Sequence, residues 1–81
     1  MDDKQREKKE KIKLQKQFGE HLRAYRKEKG LTPAELARRC FMERSNIARI
    51  EMGRTNPTLT MLKKLANGMG VEIDEFLKGF K

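Results

Sequence analysis

Apolar side chains recur along this chain with helical, not strand-like, spacing. Phe18, Leu22 and Tyr25 stand at i, i+4 and i+7, and Leu14 extends the stripe one turn back. This predicts an amphipathic helix over residues 14–29, stopped by Gly30 as the residue after the last turn. Thr32 then caps a second helix with Pro33 at its first position. Leu36, Ala37 and Cys40 form its apolar side, and the small Ala37 lets a neighbouring helix come close. The segment is too short to stand alone, so tertiary contacts must hold it. Phe41 and Met42 make a turn and return to the core. A third helix over residues 43–51 has Ile47 and Ile50 on its inner side and ends at Gly53. After the loop 54–57, Thr58 caps a fourth helix, whose stripe is Leu59, Leu62, Leu65, Ala66 and Met69. Gly68 and Gly70 loosen its end. Val71 and Phe76 suit a hydrophobic staple around a fifth helix, residues 73–78, with Asp74 and Glu75 in its first turn. No stretch alternates with period two. The pattern predicts an all-α fold of five short helices.

Residues 1–15 lie outside this pattern. They are almost wholly charged, with no Gly or Pro, and Ile12 and Leu14 are the only clearly apolar side chains after Met1. Glu7 and Lys11 stand in favourable i, i+4 order. The segment reads as a frayed helical extension that keeps the protein soluble. A basic arm tracking a nucleic-acid backbone, or a segment that binds a protein partner, are the alternatives. The domain division expected is therefore an extension, 1–15, and a compact domain, 16–81.

Eighty-one residues make one small domain with one core. The chain is 40% charged and 36% hydrophobic, with a net charge of +8, which favours a polyanionic partner. No apolar run is long enough to span a bilayer and no export signal is present, so a cytoplasmic protein, bacterial or phage, is expected. A single cysteine, Cys40, excludes an internal disulfide and a multi-cysteine zinc site. It reads as a small buried hydrophobe. His21 sits beside the first helix's stripe without a second ligand or nucleophile in pattern, and reads as a packed side chain. No triad, phosphate loop or metal cluster points to an enzyme, a cofactor or a small-molecule ligand.

The third helix is where chemistry concentrates. Arg44, Ser45, Asn46 and Arg49 occupy its outer side, opposite Ile47 and Ile50. Arg can donate two hydrogen bonds to guanine and Asn can pair bidentately with adenine, each worth about 1–3 kcal/mol of discrimination. Ala48 between them suits a thymine methyl. Two short helices, a tight turn and a polar outer face have the form of a helix-turn-helix.

The pieces LRAYRKEKGLT, AELARR, SNIARIEMGRTNPTL and LANGMGVEIDEFL follow one another without gaps. Over about residues 18–77 the chain resembles the phage-repressor and Cro type of helix-turn-helix, the XRE family. The resemblance implies a compact five-helix domain with its third helix in the major groove of double-stranded DNA. Base contacts would then fall to Arg44, Ser45, Asn46 and Arg49. Phosphate contacts would fall to Thr32, Arg54, Thr55 and Asn56. Arg26 and Glu51 match positions that pair in several members, which makes them scaffold. A homodimer on a palindromic operator is implied, with half-sites about 34 Å apart. The surface for it would come from Val71, Ile73, Phe76, Leu77 and Phe80, part of which must be core because the fourth helix needs cover, with Phe80 foremost because it lies beyond the last helix. The function implied is that of a minimal transcriptional regulator, a repressor by preference. An antitoxin or other protein-binding module with secondary DNA binding is the alternative. Three positions depart from the family pattern. Pro33 stands where Gln is usual and has no N–H for a phosphate. Phe41 stands where the turn usually has Gly, so either the turn differs or strain is tolerated. Glu43 stands where Ser or Thr usually caps; it can still cap, with its charge toward the phosphates.

Overall fold

The computed structural model describes residues 2–80. Met1 and Lys81, the outer ends of the two expected segments, lie outside the described residues. Among these residues there are five helices and no strand. Helix α1 spans Asp3–Glu28, α2 Pro33–Cys40, α3 Arg44–Glu51, α4 Leu59–Gly68 and α5 Ile73–Leu77.

Helix α1 begins at Asp3, so the expected helical extension and the amphipathic helix expected from residue 14 are one helix, unbroken through residues 15 and 16. Nothing in the segment interrupts a helix before Gly19, and its start is capped: the Asp2 carboxylate accepts from the Gln5 backbone N–H at 2.8 Å. Helix α2 is closed at its start by a reciprocal pair. Thr32 Oγ1 accepts from the Glu35 N–H at 3.1 Å, and Glu35 Oε1 accepts from the Thr32 N–H at 3.0 Å. Thr58 caps α4 by accepting from the Met61 N–H at 3.1 Å.

The core is a single cluster. Leu22, Leu36, Ile47, Ile50, Leu65 and Phe76 are fully enclosed, one or more from each helix. Each such side chain contributes about 1.5–3 kcal/mol by leaving water. Helix α2 packs on both α3 and α4, α1 packs on α3, and α5 closes against α4. Two glycines allow the close approaches. A Cβ on Gly19 would lie 2.5 Å from the Ile50 carbonyl oxygen and 2.6 Å from that of Glu51, so α1 crosses directly over the end of α3. A Cβ on Gly68 would run into the Cys40 sulfur, so α4 meets α2 there. Gly68 is thus a buried packing position more than a loosened helix end.

Three apolar side chains expected inward face water. Phe41 is 90% exposed, Leu59 75% and Leu14 50%. Phe41 sits at the tip of the turn while Met42 alone returns to the core. Leu59 is the first residue of α4, ahead of the turn that α2 covers.

Candidate nucleic-acid interface

Helix α3 is divided lengthwise. Ile47 and Ile50 are wholly buried, whereas Arg44, Ser45, Ala48 and Arg49 are exposed and Asn46 is half-buried. The outer side chains are not independent. Arg49 Nη2 donates to Asn46 Oδ1, one turn back. Ser45 Oγ lies 3.5 Å from Glu43 Oε2, at the long limit for a hydrogen bond. That contact marks a correction. Glu43 begins the helix with extended backbone, but its side chain makes no capping hydrogen bond. The longer glutamate arm turns toward Ser45 instead.

The end of α3 fixes the loop that follows. Gly53 N–H donates to the Ile50 carbonyl at 3.0 Å and Arg54 N–H to the Arg49 carbonyl at 2.9 Å, with Gly53 at φ 74°. This double closure needs a left-handed residue between the two donors. It ties Arg54 rigidly to α3, and Arg54, Thr55 and Asn56 follow at the surface, with Thr55 half-buried. Helix α2 ends with the same closure: Met42 N–H donates to the Ala37 carbonyl at 2.9 Å and Phe41 N–H to that of Arg38 at 3.4 Å. Here the left-handed position is occupied by Phe41, at φ 57° and ψ 42°. The turn has therefore the usual geometry with an unusual residue in it. At the other end of α2, Thr32 is exposed but its hydroxyl oxygen is engaged by Glu35. The Thr32 backbone N–H donating to Oε1 holds the Glu35 carboxyl below its ordinary range.

Arg26 and Glu51 come together behind α3. Arg26 Nε lies 2.6 Å from Glu51 Oε2 and Nη2 3.1 Å from Oε1, while Nη1 donates to the Leu31 carbonyl at 2.8 Å. The hydrogen bond to Glu51 raises the guanidinium's affinity for its proton further, against the opposing effect of burial. Three of its five N–H groups are bound internally and the residue is buried, which makes Arg26 part of the scaffold.

The surface expected for self-association needs correction. Phe76 is fully buried, edge-on to Phe18 at 5.8 Å and to Tyr25 at 5.3 Å between ring centroids. It is core, and cannot meet a partner. His21 Nε2 donates to the Phe76 carbonyl at 2.6 Å and so joins α1 to α5. Phe80 is half-buried on its own chain, edge-on to Phe18 at 5.6 Å. Val71, Ile73 and Leu77 are half-buried at the rim of the core. An open apolar groove of about 210 Å³ lies alongside, lined by Leu14, Phe18, Pro57, Leu62, Leu77 and Phe80.

Reasoning from sequence missed the Glu35 half of the α2 cap and the Asn46–Arg49 pair. The first was signalled by Thr-x-x-Glu. The second was only an i, i+3 spacing among several possible. Among the described residues no group of histidine, cysteine or carboxylate side chains could hold a metal ion.

Comparison with known proteins places this arrangement. The model of a helix-turn-helix family matches residues 22–76. The chain is 38% identical over 55 residues to the immunity repressor protein of Bacillus phage phi105, covering 68% of this chain and 38% of that protein. It is 37% identical over 62 residues to YonR of Bacillus subtilis, an SPbeta prophage-derived HTH-type transcriptional regulator, covering 76% and 57%. The chain thus spans well under two thirds of these two relatives. Among solved structures, the restriction-modification controller protein C.AhdI of Aeromonas hydrophila superimposes with a TM-score of 0.73 at 34% identity, covering 76% of this chain and 94% of that one. The chain belongs to the helix-turn-helix family of phage-repressor type, with α2 and α3 as the helix-turn-helix unit.

Proposed function

We propose that this protein is a transcriptional regulator, not an enzyme, that binds double-stranded DNA sequence-specifically with α3 in the major groove. The observation that carries this reading is the division of α3. Its inner residues, Ile47 and Ile50, are locked in the core, and its outer ones hold out two guanidinium groups, a hydroxyl and an amide. Those groups match base edges. Arg44, Ser45, Asn46 and Arg49 are assigned to bases. Thr32, Arg54, Thr55 and Asn56 are assigned to phosphates, which position the protein without reading sequence. The net charge of +8 and relatives that include an immunity repressor support the same reading. A homodimer on a palindromic operator is assigned to Val71, Ile73, Leu77 and Phe80, around the apolar groove. The protein would work in the cytoplasm, and no described helix is long and apolar enough to cross a membrane.

Selection of bound duplexes from a random pool, at a stated salt concentration, tests this. A palindromic product with half-sites near one helical turn apart is expected. Arg54→Ala should weaken binding to all sequences alike and lower the salt slope by about one. A pool that yields no common sequence would overturn specific readout.

A further inference from the structure

We propose that the N-terminal half of α1 is a second DNA-binding element, a rigid basic helix face that docks on backbone phosphates beyond the base pairs reached by α3. The proposal rests on the reading of α3 above and extends the footprint it implies. The family match begins at residue 22, so this element belongs to the present chain and not to the family pattern.

The first support is position. The backbone of Lys16 lies against the turn after α3: a Cβ on Gly53 would be 2.8 Å from the Lys16 Cα. Gln15 borders the same groove as Asn56 and Pro57. Helix α1 therefore leaves the core beside the loop that carries Arg54, Thr55 and Asn56. From there it continues outward for more than three turns, at about 1.5 Å per residue, and it accounts for the molecule's long dimension of 41 Å.

The second support is how charge is sorted around the helix. At about 100° per residue, Lys16 shares its side with Gln5, Lys9 and Lys13, and Lys8 falls on the side of Gly19, which faces α3. The carboxylates Asp3, Glu7 and Glu10 fall together on the opposite side. That side is in line with Leu14, His21 and Tyr25, the last two packed on α5 through Phe76. The side next to the phosphate loop thus carries Lys9, Lys13 and Lys16, with Asp2 at the cap and Glu20 toward the core as its carboxylates, while Asp3, Glu7 and Glu10 lie opposite among Lys4 and Lys11.

The third support is the lack of neutralising partners. Lys4–Lys8 and Lys9–Lys13 are like-charge pairs at i, i+4, beside the opposite-charge pairs Arg6–Glu10 and Glu7–Lys11. Among the described residues, no ion pair neutralises these lysines. A row of unpaired ammonium groups beside a DNA-gripping loop is complementary to a phosphate backbone.

The test is binding of the full chain to two duplexes, the selected operator and the same operator flanked by about 10 further base pairs on each side. The wild type is expected to bind the longer duplex more tightly and with a steeper salt dependence. Lys8, Lys9 and Lys13 are changed together to Gln, which keeps helix propensity. This variant should lose the length preference, with its salt slope smaller by up to about 2.7, at 0.9 per phosphate contact. A control, K63Q/K64Q/K78Q, removes the same charge elsewhere and should keep both properties. Far-UV circular dichroism and thermal melting check that each variant folds. If K8Q/K9Q/K13Q keeps the wild-type slope and length preference, or the control loses as much, the proposal is overturned while specific binding by α3 stands. Failure of the wild type to bind any selected sequence overturns the reading of α3 and this proposal together.

Discussion

Arg26 clamps Glu51 through two hydrogen bonds, at 2.6 and 3.1 Å, and so fastens the first helix to the last residue of α3. The side chains are 9% and 10% exposed, so neither charge has water to fall back on. Glu51→Ala leaves a guanidinium buried without its counter-charge and is expected to cost about 3 kcal/mol. Melting should fall by about 4–8 °C for each kcal/mol in a domain of this size. Replacing both residues by Met should cost less than Glu51→Ala alone, because the pair offsets its own desolvation and gains little beyond that. Thermal and urea melts of the two variants decide this. A cost for Glu51→Ala no larger than that of an exposed pair would show that the clamp is not what seats α3.

The Asn46–Arg49 hydrogen bond makes a prediction about specificity. With its carbonyl oxygen held by Arg49, the Asn46 amide is presented in a fixed orientation before any DNA arrives. Asn46→Ala and Arg49→Ala should each weaken operator binding by about 1–3 kcal/mol and relax preference at the same base position. The double variant should cost less than the sum of the two. Anisotropy titrations over operators mutated one base at a time measure the coupling. Strict additivity, with preference relaxed at separate positions, would mean the two side chains act alone.

The helices from Phe18 onward were legible because each buries one stripe, and a stripe at 3.6-residue spacing can be read from the sequence. The charged start of α1 leaves no apolar stripe; the lack of Gly and Pro and the Glu7–Lys11 spacing mark it as a helical extension, and its continuity with the helix at Phe18 is what the sequence does not show. Periodicity also cannot say which turn of a helix is covered. Leu59 fits its stripe and still faces water, while Phe76, one of the candidates for self-association, fills the centre of the α1–α5 contact. The outer face of α3 was legible as chemistry from residue type alone. The Arg26–Glu51 contact joins residues far apart in sequence, and only resemblance to a family suggested it.

Gly19 reverses an ordinary expectation. In the interior of a helix, Gly→Ala gains about 1 kcal/mol. At Gly19 the added methyl would sit 2.5 Å from the Ile50 carbonyl oxygen, a backbone atom that cannot rotate aside. Gly19→Ala must then push α1 off α3, and overpacking of this kind costs about 1–3 kcal/mol. A lowered urea midpoint, together with weaker operator binding, is expected. A more stable Gly19→Ala protein would mean that the two helices can part at no cost.

Phe41 is the converse case. It holds φ 57° with its ring 90% exposed, so it carries the strain of a left-handed residue and gains little packing. That conformation costs an L-residue roughly 1–2 kcal/mol, and Gly at the same place gives back about 0.5–1 kcal/mol through its freer unfolded chain. Phe41→Gly is therefore expected to stabilise the fold by up to about 1 kcal/mol, seen as a higher melting temperature. A loss of stability would show that the exposed ring makes a contact which outweighs the strain.

Cys40 gives the protein a pH dependence with a definite sign. Its side chain is 1% exposed between α2 and Gly68, and burial pushes the thiol up from 9.0 to about 11. Below the unfolded value the thiol is neutral in both states and stability is unaffected. Between pH 9 and 11 the unfolded chain ionises and the folded one does not, so unfolding is favoured as the pH rises. The loss approaches about 2–3 kcal/mol above the folded value, at about 1.4 kcal/mol per pH unit. Urea melts from pH 8 to pH 11 should show this decline in the wild type, and a shallower one in Cys40→Ala, which has no thiol to ionise. The same burial predicts that a thiol reagent at pH 8 labels Cys40 only as fast as the domain opens, and at the full rate in urea. Labelling of the native protein at the unfolded rate would place the sulfur at the surface and remove the basis for the alkaline decline.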